Sequence, residues 1–285
     1  MTSPVAVVTD STASLPAAVV ARHDITVVPL QVVIGFTSYD EGTDVTAQTL
    51  SAAFGEQTPV STSRPTPQVF LQAYEDAAGA GAESAVSVHL SGEVSGTYES
   101  AQLAAQEASI PVEVVDSRQV GMGTGFAVLA AARVVEAGGG AVDAAAAART
   151  CARGTTVLFC VDTLEHLRRG GRIGAAAALV GSVLSVKPLL KVDNGRIIPL
   201  EKVRTSSRAL SRMEDLAVQA VEGRRVDVAV HHVANPGPAE TLAERLRGRI
   251  ATLADLVVSE VGAVIGAHVG PGTLAVVIAP APPTG

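Results

Sequence analysis

Short apolar runs alternate along this chain with longer segments of helical spacing. VAVV at 5–8 is a continuous apolar run of the kind that forms a strand buried on both faces. It breaks into the hydroxyl-rich loop Thr9-Asp10-Ser11-Thr12, after which Ser14 is placed as the cap of a helix entering at Pro16. ITVVPLQVVIG from Ile25 predicts strand, and the segment from Tyr39 to Gln57 a loop and a helix capped near Thr46. Thr66 and Pro67 supply the cap and first position of the next helix. Ser84 to His89 predicts strand, then a helix beginning at Ser95-Gly96-Thr97 with Leu103 and Ala104 on its buried face. VEVVD at 112–116 is strand again, followed by an apolar helix from about Gly123 to Glu136 and, past the glycines 138–140, another. This strand-helix alternation predicts an α/β first domain, residues 1–154, built on a mainly parallel sheet flanked by helices.

The stretch from Thr163 to Thr205 is organised differently. Leu164 and Leu167 give an amphipathic opening that the pair Gly170-Gly171 terminates, since only Gly enters the left-handed region without steric cost. An Ala-rich apolar run to Leu184 is long enough for about three helical turns. LLKV and RIIPL then flank Asp193-Asn194-Gly195, and Asn-Gly between apolar alternations is a strong hairpin signal. The hairpin is expected to bring Arg204 and Thr205 close to the Gly-Gly-Arg turn. Helical spacing over 206–223, a strand over 225–233, a helix over 239–250 and a closing strand complete a smaller α+β domain, residues 155–285. A ligand is expected in the cleft between the two domains.

Composition narrows the function classes. Of 285 residues, 47% are hydrophobic and 17% charged, enough for a substantial core. Aromatics are only 3% and the net charge is −7, which argues against a nucleic-acid partner, because stacking rings and a basic face are missing. Contact with an anionic membrane would need a local basic patch. Cys151 and Cys160 fit no zinc spacing and read as reduced core thiols. No metal or cofactor is implied: GMGTGF at 121–126 has Phe126 where a dinucleotide fingerprint needs Gly. With no leader pattern and no apolar run of about 20 residues, a cytoplasmic protein is expected.

Candidate chemistry rests on hydroxyls, arginines and one histidine. Arg172 is either a solvated charge after a helix end or an anion-binding guanidinium, and spacing does not choose. Thr62 and Ser63 are held extended by neighbouring prolines, as turn residues or as exposed hydroxyls beside a helix start. Ser95 is either a plain cap or part of an anion site at a helix N-terminus. His268 is held against the turn Gly270-Pro271-Gly272 and is able to donate to an anion. His231 and His232, at a strand end, read as structural. Ser95, His268 and Asp116 would be the members of a hydrolytic triad, but the G-x-S-x-G elbow is not met around Ser95.

The order VVTDSTASLP (7–16), TSRPTP (62–67), VSVHLSGEVSGTYESA (86–101), VDS (115–117), GGRI (170–173), the Asn-Gly hairpin ending in VRT, and HVGPGTLAVVI (268–278) resembles the DegV family of bacterial fatty-acid-binding proteins over nearly the whole chain. The resemblance implies a carrier and not an enzyme: a long-chain fatty acid such as palmitate, its carboxylate held by Thr62 and Ser95 with Ser63 and His268 close by. It implies a partner, the ATP-dependent subunit of a fatty acid kinase, with Arg172 and Arg204 on a rim serving the acyl phosphate and transient membrane contact. The segment Gly174 to Leu190 is the expected wall of a tail tunnel. Arg64 departs from the family, which usually has Gln there, and adds a charge beside the site. The alternatives are a serine-dependent hydrolase and a carrier of another anionic small molecule.

Overall fold

In the computed structural model, which describes residues 4–45, 47–56, 58–179 and 187–282, the apolar runs become three sheets. Strands Ile25–Val28, Val5–Asp10, Ser84–His89 and Val112–Asp116 lie side by side in that order, all parallel. Arg196–Val203, Lys187–Asp193, Thr156–Cys160, Leu274–Pro280, Val226–His232 and Leu253–Glu260 form a six-stranded sheet, antiparallel except for its last pair. The expected single strand across residues 25–35 is split at Pro29-Leu30. Its second half, Gln31–Ile34, pairs instead with Thr37–Asp40 and Val60–Ser63 in a small antiparallel flap.

Between the two large sheets lie helices Met122–Glu136 and Ala141–Gly154, which touch strands of both. The first is apolar around its circumference, as a helix packed on every side must be. Its glycines allow close approach: a Cβ at Gly125 would lie 2.6 Å from the Ala13 carbonyl oxygen. The second buries Ala141, Ala144, Ala145, Ala148 and Ala152 on one helical stripe. The resulting core runs from Val5 and Val88 through Phe126 to Phe159 and Val277, so it is continuous across residue 154.

Alternation along the six-stranded sheet divides its side chains. Val157, Phe159, Val277 and Ala279 face the middle layer, whereas Leu158, Val276 and Ile278 face helices Ser206–Val221 and Pro236–Arg249. Those helices supply Ala209, Met213, Ala217 and Val221, and Ala239, Leu242, Ala243 and Leu246, both sets at helical spacing.

Several local expectations are corrected. Ser14 does not cap a helix: it is left-handed at φ 54 and closes the 3-10 turn Ser11–Ala13, where Asp10 takes the Thr12 N–H, while helix Ala17–Arg22 starts without a side-chain cap. Leu103 is 54% exposed, because Thr97, Ser100, Ala101 and Ala104 form the inward stripe of helix Thr97–Ala105. The Ala-rich run is 3-10 over Gly174–Leu179, not α-helical; its remainder over 180–186, like the expected cap Thr46, lies outside the described residues.

The Asn194-Gly195 turn forms as expected, both residues at positive φ (48° and 84°). Its tip docks on the loop after strand Ser84–His89: Ser91 Oγ donates to the Gly195 carbonyl at 2.8 Å, and Arg196 pairs with Glu93 at 2.7 Å. A side chain at Gly195 would collide with Ser91. Gly195→Ala is therefore expected to lower unfolding stability by about 1–3 kcal/mol, through left-handed strain and loss of this clasp. An unchanged denaturant midpoint would contradict it.

Candidate ligand recess

Strand ends and one sheet face enclose a recess of about 410 Å³. Thr12, Leu30, Leu90 with Val94–Gly96, and Val120-Gly121 line it from the loops that follow the four parallel strands. The carboxyl ends of parallel strands are where α/β sheets ordinarily receive ligands. The opposite wall is the middle-layer face of the six-stranded sheet, with Val157, Phe159, Ala275 and Val277 all presented by the same alternation. Val264, Ile265 and His268 on helix Ala263–Val269 and Thr62–Arg64 at the end of the flap close the side. Most of the wall is apolar; Thr62 and His268, Arg172 with Val94, and Arg64 with Gly96 make contacts at one pole, while Thr12, His231, His232 and Thr273 also line the recess.

At that pole Thr62 Oγ1 and His268 Nε2 are 2.8 Å apart. Register explains the direction of Thr62: it pairs with fully buried Val32, so both face inward, and the next residue, Ser63, is exposed on the lip. Ser95 faces the same recess one residue before the helix cap, its hydroxyl 2.9 Å from Thr97 Oγ1. Arg172 follows the helix Glu165–Arg169 and the left-handed Gly171. Its guanidinium donates to the carbonyls of Val94 at 2.9 Å and Gly170 at 2.6 Å, so the charge is fixed across the two halves of the chain. Thr62, Ser63, Ser95, Arg172 and His268 thus line one space. Arg204 lines neither this recess nor its neighbour; it is exposed beyond Val203, while the residue that meets Gly174 is Ile197, at the other end of that strand. Arg64 lies over Gly96, 3.3 Å from its carbonyl oxygen and 3.3 Å from Glu99.

Burial sets the charge state of the pole. Desolvation lowers the His268 imidazole to about 4, and the Arg172 guanidinium pushes it the same way. His268 is therefore neutral at ordinary pH and offers one N–H, not a cation. His231, also facing the recess, is lowered to about 4 by burial. Its Nε2 accepts from Met122 N–H at 3.1 Å, which leaves its proton on Nδ1, 3.1 Å from Ser259 Oγ. This histidine seats the start of the central helix.

Other groups escaped sequence reasoning because partners far along the chain define them. Glu41 is buried, its carboxyl raised by desolvation, and it accepts from Val264 N–H at 2.7 Å, which anchors the helix that carries His268 to the flap. Gly121, at φ 57 with His231 against it, forms part of the recess wall, and its glycine-rich surroundings were the available signal. Asp10, His89 and Ser87 have the order of a hydrolytic triad, at 3.0 and 2.7 Å. All three are fully buried, and Ser87 also accepts from Tyr74, so no substrate reaches it. The triad considered from sequence is not assembled: Asp116 takes the N–H groups of Gly92 and Arg118, and His268 faces Thr62. Desolvation holds both cysteine thiols up at about 11. Among the described residues no cluster of three His, Cys, Asp or Glu could hold a metal, and no helix is long and apolar enough to cross a membrane.

Comparison with known proteins agrees with this architecture. Residues 4–281 match the family described as "Uncharacterised protein, DegV family". A DegV domain-containing protein of Streptomyces coelicolor is 55% identical over 98% of this chain and 99% of its own. A solved DegV family protein from Thermus thermophilus, described by its fatty acid binding, superposes with a TM-score of 0.93 at 32% identity, covering 97% of this chain and 99% of that one. DegV of Bacillus subtilis, described as a fatty acid binding protein, gives 0.89 at 33% identity over the same shares.

The neutral histidines carry a pH prediction. Folded, His231 and His268 stay uncharged down to about pH 4. In the unfolded chain a histidine protonates near 6.5, so as pH falls from about 6.5 towards 4 both groups progressively favour unfolding. In NMR spectra neither ring is expected to titrate between pH 8 and 5. A midpoint near 6.5 for His268 would refute the buried, uncharged imidazole.

Proposed function

The chain belongs to the DegV family, and from that premise we propose that it binds one long-chain fatty acid, with the tail in the recess and the carboxylate at the Thr62–His268 pole. The observation that supports this reading is the make-up of the recess: a mostly apolar wall, with the Thr62–His268 pair and the fixed Arg172 guanidinium among its lining groups. A sixteen-carbon acid has about fourteen methylenes, and burying them at roughly 0.8 kcal/mol each offers on the order of 11 kcal/mol before the costs of association. Each charge-assisted hydrogen bond at the head adds about 1.5–3 kcal/mol. Affinity thus comes mainly from the tail, while Thr62, Ser95 and His268 keep the head from being buried unpaired.

The pole also opens outward. A second recess of about 930 Å³ shares Thr62, Arg172 and His268 with the first. This arrangement supports a finer reading, in which the carboxylate is presented to a separate ATP-dependent kinase. A carboxylate oxygen would attack the γ-phosphorus of ATP, releasing ADP and leaving an acyl phosphate beside Arg172. Arg204 would then act on the partner's side of the rim and not on the bound lipid.

Organic extraction of the purified protein followed by mass spectrometry is expected to recover about one long-chain acid per chain. Occupancy should fall sharply in the Thr62→Ala, Ser95→Ala double variant. Arg204→Ala should keep its lipid and slow only phosphorylation by the kinase. Recovery of no acyl chain from the wild type would end the carrier reading.

A further inference from the structure

The chain has eight aromatic residues, five Phe and three Tyr, and seven of them are buried or half-buried. The exception is Phe36, whose side chain is fully exposed at 108%. Single exposed apolar residues need no explanation as such, and Val69, Leu103 and Val142 lie on helices. Phe36 is placed differently. Ile34 pairs with Thr37, so Gly35-Phe36 is a two-residue hairpin loop, and Gly35 takes the positive φ of 62° that such loops favour at their first position. The ring therefore stands at the tip of the flap.

What surrounds the tip indicates its partner. No charged side chain occurs from Gln31 to Tyr39 or from Thr58 to Ser63, although the chain as a whole carries −7. Gly35 N–H donates to the Pro59 carbonyl at 2.9 Å. Pro59 belongs to the wall of the outer recess, which runs by way of Thr58, Val60 and Phe54 to Thr62 and His268. The tip thus stands beside the outer end of a groove whose inner end is the head-group pole. Arg169, 73% exposed, is in the lining of the same groove and shares the carboxylate of Glu165 with Arg168, two guanidiniums to one carboxylate. A protein hot spot sits inside a ring of packed neighbours. A lone apolar ring on an uncharged loop, with cations to one side, has the chemistry of side chains that enter the headgroup/acyl boundary of a bilayer.

We propose that the flap tip is a bilayer-insertion point, at which Phe36 enters the lipid surface and the groove beside it conducts a fatty acid to and from the Thr62–His268 pole. The proposal rests on the carrier reading for its purpose, and its test is independent of it.

The chain has no Trp, so Phe36→Trp places a single fluorophore at the tip. With vesicles of equal parts phosphatidylcholine and phosphatidylglycerol, its emission is expected to shift to the blue and to be quenched by lipids brominated in their acyl chains. Val142→Trp, on the exposed face of helix Ala141–Gly154, should show neither effect. Phe36→Ser is expected to retain its extractable lipid but to exchange it with vesicles about tenfold more slowly or worse, the ratio for transferring one large apolar side chain. Unchanged Phe36→Trp emission, an equal response from Val142→Trp, or wild-type exchange by Phe36→Ser would each overturn the proposal. So would emission that responds to the kinase partner and not to vesicles, which would make the tip a protein contact. Failure of the carrier reading would appear separately, as a wild-type extract without fatty acid.

Discussion

The hydrogen bond between Thr62 and His268 spans 206 positions of sequence and joins the antiparallel flap to the last helix. The head-group pole depends on this contact. It requires the flap register that turns Thr62 inward beside Val32, and it requires helix Ala263–Val269 to be seated, which Glu41 secures from the flap itself. The imidazole in this contact is uncharged. A charged histidine would bind an anion more strongly in isolation, but burial and Arg172 disfavour the imidazolium. What remains are oriented hydroxyls and one imidazole, with a guanidinium already fixed on the carbonyls of Val94 and Gly170.

The rest of the fold holds the recess open behind that pole. Loops at the carboxyl ends of four parallel strands face one surface of a six-stranded sheet, and the interior helices Met122–Glu136 and Ala141–Gly154 hold the two sheets apart. Alanine and glycine dominate those contacts, so the layers approach closely where they touch. The Asn194-Gly195 tip and Arg172 both reach the loop Ser91–Ser95, binding the sheets together near the mouth.

Much of this was legible in the pattern of residues. Continuous apolar runs marked the buried parallel strands, Asn-Gly marked the hairpin, and the ordered motifs singled out Thr62, Ser95, Arg172 and His268, which the fold brings to one recess. What was not legible depended on burial that only the complete fold defines. Leu103 satisfies a local helical pattern but loses the inward stripe to smaller residues, and Ser14 satisfies a capping rule that Asp10 pre-empts. His231 reads as structural, but that Met122, far away in sequence, needs its lone pair was not visible, and Glu41 gave no sign that Val264 needs its carboxylate. Arg204 lies next to its motif in sequence, but the strand carries it away from the recess.

The central claim is that an acyl chain lies along the Val157, Phe159 and Val277 face with its carboxylate at Thr62 and Ser95. Crystals grown with a fatty acid brominated at its terminal carbon test it directly. The account predicts an anomalous bromine peak deep in the recess, with carboxylate density within hydrogen-bonding distance of both hydroxyls. A peak elsewhere on the molecule, or a tail lying outward with its head among the aliphatic side chains, would contradict it.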